Sequence, residues 1–153
     1  MTGTEQFLRE RWYANRAIGR LLMDLSFAKS AYEQSCSGVK TSDLTTLRGK
    51  WRAGALSPVE YAAILAADQY RAQIESIERR LEAEREKIRE IDRAVLDARL
   101  SQREEDYVRL RYFENRTVEA VSQRMFCSLA TCGRIRESAL FKIENAGRAC
   151  EQG

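Results

Sequence analysis

The sequence predicts an all-α protein, in which a long antiparallel helical hairpin or coiled-coil arm precedes a small C-terminal domain of three helices. Its 153 residues are 44% hydrophobic and only 8% aromatic, with a single proline, which is a composition typical of a helix-rich chain. Apolar residues recur at helical spacing along most of the sequence. Residues that start helices stand before these periodic segments.

The first helix is predicted over about 5–35. An apolar stripe at helical spacing supports it, formed by Phe7, Ala14, Ile18, Leu21, Leu25, Ala28 and Tyr32. The stretch SCSGVKTS, rich in turn-forming residues, ends the periodicity and begins a connection at 36–56. Within this connection Leu44, Leu47 and Trp51 predict a short helix over 43–52.

The second long helix is predicted over 57–98, because Ser57 can cap it, Pro58 suits its first turn and Glu60 completes a capping box. Its seam alternates steps of four and three residues, the coiled-coil period. The seam consists of Ala63, Ala67, Tyr70, Ile74, Ile77, Leu81, Glu84, Ile88, Ile91, Val95 and Ala98. The basic first helix suits this acidic second helix as an antiparallel partner. Pairing with a second copy remains the alternative, and we expect a homo-oligomer through Ile74, Ile77, Leu81, Ile88, Ile91 and Val95.

Residues 100–145 predict the C-terminal domain, which follows an arm at 1–99 and precedes a frayed tail at 146–153. Ser101 and Glu104 form a capping box for a helix that ends at Asn115, a residue that tolerates a left-handed conformation. Thr117 caps a short helix, Phe126 and Cys127 form a turn, and Ser128 caps a longer helix. The last helix has an apolar inner face of Cys132, Ile135, Ala139, Leu140 and Ile143. These caps and the turn between them predict that the last two helices form a helix-turn-helix.

Several classes of protein are disfavoured by the residues present. The chain has no histidine, no glycine-rich phosphate loop and no CxxC pair, so we expect neither an enzyme, nor a metal site, nor a cofactor. Cys36, Cys127, Cys132 and Cys150 are expected to be reduced, structural thiols. The longest apolar stretch is AAILAA, and the first residues are polar, which predicts a cytoplasmic protein without membrane contact. The net charge of +3 is too small to indicate a nucleic-acid partner by itself.

The last third of the chain, LSQREEDYVRLRYFENRTVEAVSQRMFCSLATCGRIRESALFKI, resembles the promoter-recognition region (region 4) of bacterial sigma factors. A preceding coiled coil, in a chain of this size, makes the sequence most similar to the phage and prophage sigma-like regulators of the ArpU-like and RinA-like late-gene activator type. This resemblance implies a sequence-specific transcriptional regulator that binds promoter DNA, either alone or with RNA polymerase. Its last helix would then enter the major groove of double-stranded DNA.

The resemblance also implies which residues contact DNA. The base-reading positions fall on Leu129, Ala130, Gly133 and Arg134, which we call the reading face. The other predicted DNA contacts are Arg116, Thr117, Arg124, Ser128, Thr131, Arg136 and Lys142. Only Arg134 can form a bidentate pair with guanine, worth about 1–3 kcal/mol, so direct reading should be poor and specificity should come from self-association or from RNA polymerase.

Two functions from other classes stay open at this point. A phage small terminase-like packaging component also combines a helix-turn-helix with a helical oligomerisation segment. A protein-only adaptor would use the 101–113 helix to bind polymerase without contacting DNA. A plain structural bundle is the third reading of the three helices, and Arg134 is then a solvated charge.

Overall fold

The computed structural model describes residues 2–37 and 58–150, and over these residues the chain is all helical, without β-strands. The predicted short helix at 43–52 and the predicted cap at Ser57 lie outside the described residues. The described helices are α1 (Gly3–Ser37), α2 (Pro58–Asp97), α3 (Gln102–Val108), α4 (Val118–Arg124) and α5 (Leu129–Cys150). A π-helical turn over Arg109–Phe113 continues α3.

The chain divides into two compact units. Unit 1 comprises Met1–Ile18 and Ala83–Gly153, and unit 2 comprises Gly19–Glu82. This division differs from the predicted boundary at residue 99, because the first turns of α1 share a hydrophobic core with the C-terminal helices. Helix α5 also continues to Cys150, beyond the predicted end of the C-terminal domain at 145.

In unit 2, the second half of α1 packs against the first half of α2. Its core contains Leu21, Ala28, Ile77 and Leu81. The Lys29 ammonium lies 3.6 Å from the Glu78 carboxylate, whereas Tyr32, further along α1, accepts a hydrogen bond from Arg71, which comes earlier in α2. The two segments of this unit therefore run antiparallel.

The predicted seam of α2 is confirmed as its inner face, since every seam position from Ala63 to Ala98 is buried or half-buried. Three of the seam residues predicted to contact a second copy are buried within the single chain. Ile77, Leu81 and Ile91 keep only 7%, 5% and 1% of their surface exposed within a single chain. They share their hydrophobic cores with residues of α1, Ile91 with Leu8 in unit 1, and Ile77 and Leu81 with Leu21 and Ala28 in unit 2.

Unit 1 is organised around two tyrosines at the junction of α3 and the π-helical turn. Tyr107 and Tyr112 are each 1% exposed, and their rings meet edge to face with centroids 6.3 Å apart. Helix α3 packs against α5, and α4 packs against both α5 and the π-helical turn. The same core contains Leu8 from α1 and Ile91 from α2.

Among the described residues, three other than glycine adopt a left-handed backbone conformation, and all three lie at the joints of unit 1. They are Arg99 (φ 47°), Asn115 (φ 53°) and Phe126 (φ 51°). The left-handed end predicted at Asn115 is confirmed, and so is the Ser101–Glu104 capping box of α3. None of the described helices has an apolar stretch long enough to cross a membrane.

Candidate functional site

The segment from α4 to α5 has the caps and the turn that its sequence predicts. Thr117 Oγ1 accepts a hydrogen bond from the Ala120 amide at 3.3 Å, which caps α4. Ser128 Oγ accepts one from the Thr131 amide at 3.2 Å, which caps α5. Between them Phe126 reverses the chain with its positive φ. Local hydrogen bonds therefore fix where each of the two helices begins.

The Phe126 side chain at the centre of the turn is exposed to solvent and does not pack on a neighbouring helix. The residue is 94% exposed. A left-handed conformation costs a residue with a β-carbon about 1–2 kcal/mol, and no burial of the ring compensates for it here. Phe126 is thus a strained and solvent-exposed residue at the centre of the turn.

The reading face lies on the side of α5 that points away from the core of unit 1. Leu129 is 54% exposed, Ala130 and Arg134 are exposed, and Gly133 is half-buried. On the opposite side of the helix Cys132, Ala139 and Ile143 are buried. Among the described residues, no carboxylate forms an ion pair with Arg134. The geometry leaves the Arg134 guanidinium available to an external acceptor.

Gly133 serves no packing purpose within this fold. A β-carbon built on it meets no atom within 4 Å, so the described structure would accommodate a side chain there. Glycine inside a helix costs about 1 kcal/mol relative to alanine. Its effect is to leave the backbone of α5 accessible from outside, one residue before Arg134.

Arg136 and Lys142 have partners inside unit 1, which sets them apart from the other predicted DNA contacts. Arg136 Nε lies 2.9 Å from Glu5 Oε1, and Lys142 Nζ lies 2.7 Å from Glu104 Oε2. Glu5 also accepts a hydrogen bond from the Tyr112 hydroxyl at 2.8 Å. Both carboxylates are buried, so these two cations are bound to internal anions.

The two carboxyl groups are held in their charged forms. Burial by itself raises the pKa of Glu5, but hydrogen bonds from Arg136, Tyr112 and the Thr2 backbone outweigh it and lower the pKa from 4.5 to about 2. Burial likewise raises the pKa of Glu104, and hydrogen bonds from Lys142, Ser138 and Ser101 lower it to about 2. Since both glutamates stay ionised at neutral pH, Arg136 and Lys142 stay paired.

Arg116 and Arg124 share one carboxylate, that of Glu114. Arg116 Nε is 3.3 Å and Arg124 Nη1 is 3.9 Å from Glu114 Oε2. Both side chains are about half exposed, at 44% and 55%, so their ion pairs are weak ones in contact with solvent. The pair of arginines keeps a net positive charge beside this one acid.

A cleft between α3 and α4 brings Arg124 together with Arg103 and Arg109, two arginines that were not among the predicted DNA contacts. Its lining consists of Arg103, Asp106, Arg109, Leu110, Arg124 and Met125. Asp106 pairs with Arg109 at 3.1 Å, which leaves two more guanidinium groups than carboxylates in the lining. The π-helical turn that begins at Arg109 places this residue at the cleft, and such turns are frequent at functional sites.

Sequence reasoning missed two further features of unit 1. Thr2 and Glu5 exchange hydrogen bonds between side chain and backbone at the start of α1, a capping box that the motif T-x-x-E would have indicated. Cys127 and Cys132 bring their sulfur atoms to 3.3 Å of each other. Their five-residue spacing is not a known pair motif, so only the folded turn reveals this contact.

No group of three or more histidine, cysteine, aspartate or glutamate side chains converges on a metal-sized site within 2–37 and 58–150. The chain matches no protein-family model, no curated protein and no solved structure. We therefore infer the function from the charge and exposure of the surface formed by α4, the turn and α5.

Proposed function

We propose that this protein is a DNA-binding transcriptional regulator of the phage sigma-like type, without catalytic activity, that acts on promoter DNA together with RNA polymerase. In this proposal the two long helices form a helical hairpin, and α4, the turn and α5 form a helix-turn-helix. The amino-terminal turns of α5 enter the major groove. A cytoplasmic location follows from such a role.

The observation that carries this proposal is the combination of Gly133 and Arg134 on the outer side of α5. Glycine at this position weakens the helix, and no packing inside the fold requires it. A close approach of a partner to the helix backbone explains it. The unpaired guanidinium of Arg134 is adjacent to that approach, and guanine O6 and N7 are the acceptors that arginine binds with two hydrogen bonds.

Phosphate contacts would come from the arginines whose charges are not neutralised by buried carboxylates. These are Arg116 and Arg124 beside Glu114, and Arg103 and Arg109 in the adjoining cleft. We leave Arg136 and Lys142 out of the proposed interface, because each binds a buried glutamate. Thr117, Ser128 and Thr131 contribute hydroxyl and amide groups near the helix starts. Binding through such contacts weakens as salt increases.

In this proposal, binding to RNA polymerase supplies more of the promoter specificity than dimerisation does. Leu129 and Ala130 offer at most apolar contact with a thymine methyl group, so one arginine supplies about 1–3 kcal/mol of base discrimination. That is too little to select one promoter among the roughly million or more competing sites of a genome. The apolar seam of α2 is covered by α1 within the chain, which favours tethering to polymerase over dimerisation through that seam.

Gly133→Ala is the sharpest test of the reading face. Because open space surrounds this position, the added methyl group should stabilise α5 by up to about 1 kcal/mol. The same methyl group should weaken DNA binding if the backbone approaches DNA here. Gly19→Ala in α1, where open space also surrounds the built β-carbon, is the matched control and should leave DNA binding unchanged. Equal DNA affinity of wild type and Gly133→Ala would contradict the close approach.

A pull-down of source-genome fragments identifies the DNA. The purified protein is incubated with the fragments at moderate salt, with and without RNA polymerase, and the bound fragments are sequenced. We expect enrichment of a region upstream of an operon, lost in Arg134→Glu and retained in Arg80→Glu, which makes the same charge change at an exposed site on α2.

The remaining outcomes separate the other functions. A ring of many subunits that enriches packaging-site DNA would replace the regulator with a small terminase-like component. Binding to polymerase with no DNA contact at any salt concentration would indicate a protein-only adaptor. Absence of both DNA and polymerase binding would refute the proposal.

A further inference from the structure

The closest approach of two thiols in the described chain lies across the turn between α4 and α5. Cys127 Sγ is 3.3 Å from Cys132 Sγ, in the reduced state. A disulfide bond requires about 2.05 Å between the sulfur atoms, so a displacement of little more than one ångström separates contact from a bond. The two residues belong to different parts of the motif, since Cys127 is in the turn and Cys132 is in the first turns of α5.

The two thiols differ in their access to solvent. Cys132 is fully buried in the core of unit 1, with no exposed surface. Cys127 is half-buried and adjoins the exposed Phe126. A soluble reagent therefore meets Cys127 first, and the thiol next to it is Cys132.

We propose that Cys127 and Cys132 are an oxidation site at which a hydroperoxide forms an intramolecular disulfide that cross-links the turn to α5. In the first step the Cys127 thiolate attacks one oxygen of the peroxide. The O–O bond breaks, Cys127 becomes a sulfenic acid, and the departing hydroxide or alkoxide takes up the proton that the Cys127 thiol released, leaving as water or an alcohol. In the second step Cys132 sulfur attacks Cys127 sulfur, its proton goes to the departing hydroxide, and water leaves. Two thiols are oxidised and one peroxide is reduced.

The environment of Cys132 suits the second of these roles. Burial and the hydrogen bond with Cys127 raise the pKa of the Cys132 thiol to about 11, so it is protonated and protected from direct attack. Its sulfur nevertheless lies within 3.3 Å of Cys127 Sγ, so it is the thiol in position to react once Cys127 has been oxidised.

The cross-link would act on the surface that the proposed function uses, and this consequence rests on that function. Ser128 lies between the two cysteines, and it caps α5 through the Thr131 amide. Drawing Cys127 towards Cys132 moves this cap relative to Arg134, which lies two residues beyond Cys132. We expect the oxidised protein to bind DNA more weakly than the reduced protein.

Mass spectrometry of the full chain tests the oxidation site without reference to DNA. The reduced protein is treated with a stoichiometric amount of hydrogen peroxide, then alkylated and digested with trypsin. Both cysteines fall in one tryptic peptide, MFCSLATCGR, at residues 125–134. We expect this peptide to lose the mass of two hydrogen atoms and both alkylations, and to regain them after reduction. Cys36, which is exposed and lies on another peptide, is the internal reference.

Substitutions assign the order of events. In Cys132→Ala the sulfenic acid at Cys127 should accumulate and react with dimedone, whereas the wild type should give disulfide and little adduct. Cys127→Ser, at the less buried position, should leave Cys132 alkylated after unfolding and unoxidised before it. Circular dichroism checks that each variant keeps its helices.

Each remaining result decides the proposal. Oxidation of Cys36 with both thiols of the 125–134 peptide intact would overturn it, and so would disulfides between chains at Cys127. A reversible disulfide with unchanged DNA binding would keep the oxidation site and remove its effect on DNA. Failure of the reduced protein to bind DNA would instead contradict the proposed function.

Discussion

The Glu5 carboxylate lies 2.9 Å from the Arg136 guanidinium, although 131 positions separate the two residues in sequence. The contact joins the first turn of α1 to α5 within unit 1. Tyr112 donates a second hydrogen bond to the same carboxylate oxygen. The amino-terminal turns of the chain are thereby part of the structure that supports the C-terminal helices.

Glu104 and Lys142 repeat this relationship in the same unit. Each glutamate completes a capping box at a helix start, Glu5 with Thr2 and Glu104 with Ser101, and each also binds a basic residue of α5. Two local capping motifs therefore position α5. Loss of Glu5 leaves the buried Tyr112 hydroxyl without its acceptor, whereas the side chains that bind Glu104 keep contact with solvent.

Glu5→Ala should destabilise the protein by about 1–3 kcal/mol, because the buried Tyr112 hydroxyl then lacks its acceptor. Chemical denaturation followed by circular dichroism measures the change. Glu10→Ala, an exposed site on the same helix, should have little effect. In a Tyr112→Phe background the same Glu5→Ala change should cost less, since the hydroxyl is already absent. Equal costs in the two backgrounds would argue against the hydrogen bond.

Stability should fall in acid through Glu5 and Glu104. Both have a folded-state pKa of about 2, lowered from 4.5, so each stabilises the fold fully above the ordinary pKa and loses this contribution as the pH falls from about 4.5 towards 2. Thermal unfolding between pH 7 and pH 2 measures the loss. The double variant Glu5→Gln, Glu104→Gln should be less stable at pH 7 and show a flatter acid limb. The matched variant Glu10→Gln, Glu105→Gln, at exposed sites, should keep the wild-type slope.

Phe126→Gly should stabilise unit 1 by about 1 kcal/mol, because glycine adopts the left-handed conformation without the steric cost that a β-carbon imposes. The ring is 94% exposed, so its removal forfeits almost no packing. Phe126→Ala is the control, since it removes the ring and keeps the strain, and its stability should match that of the wild type. Destabilisation by glycine would mean that the ring has a packing role.

Leu8→Ala should cost about 2–5 kcal/mol, although Leu8 lies far in sequence from the helices it stabilises. Leu8 has no exposed surface and belongs to the same hydrophobic core as Tyr107 and Val121. Leu22→Ala, at a residue that is 45% exposed, is the control and should cost much less. A small effect of Leu8→Ala would show that the C-terminal helices do not depend on α1.

The sequence by itself determined the features that depend on neighbouring residues. Helical periodicity identified the buried side of α2, and the Ser101, Thr117 and Ser128 caps located the helix starts, because a cap bonds to an amide within the next turn. Asn115 identified the left-handed end of its helix, because asparagine tolerates that backbone conformation better than most residues with a β-carbon. The exposed side of α5 also follows from its apolar inner face.

Only the tertiary structure decided which distant groups meet. Arg136 and Lys142 looked like free cations, and folding places a buried carboxylate beside each one. The sequence suited the seam of α2 to either α1 or a second copy, and the folded chain packs Ile77 and Leu81 of this seam with Leu21 and Ala28 of α1. Packing against α5 also decides two local features. It brings Cys127 close to Cys132, and it accompanies the π-helical turn that continues α3 from Arg109. Periodicity shows that a face is apolar or charged, but the partner of that face depends on long-range packing, which local spacing does not encode.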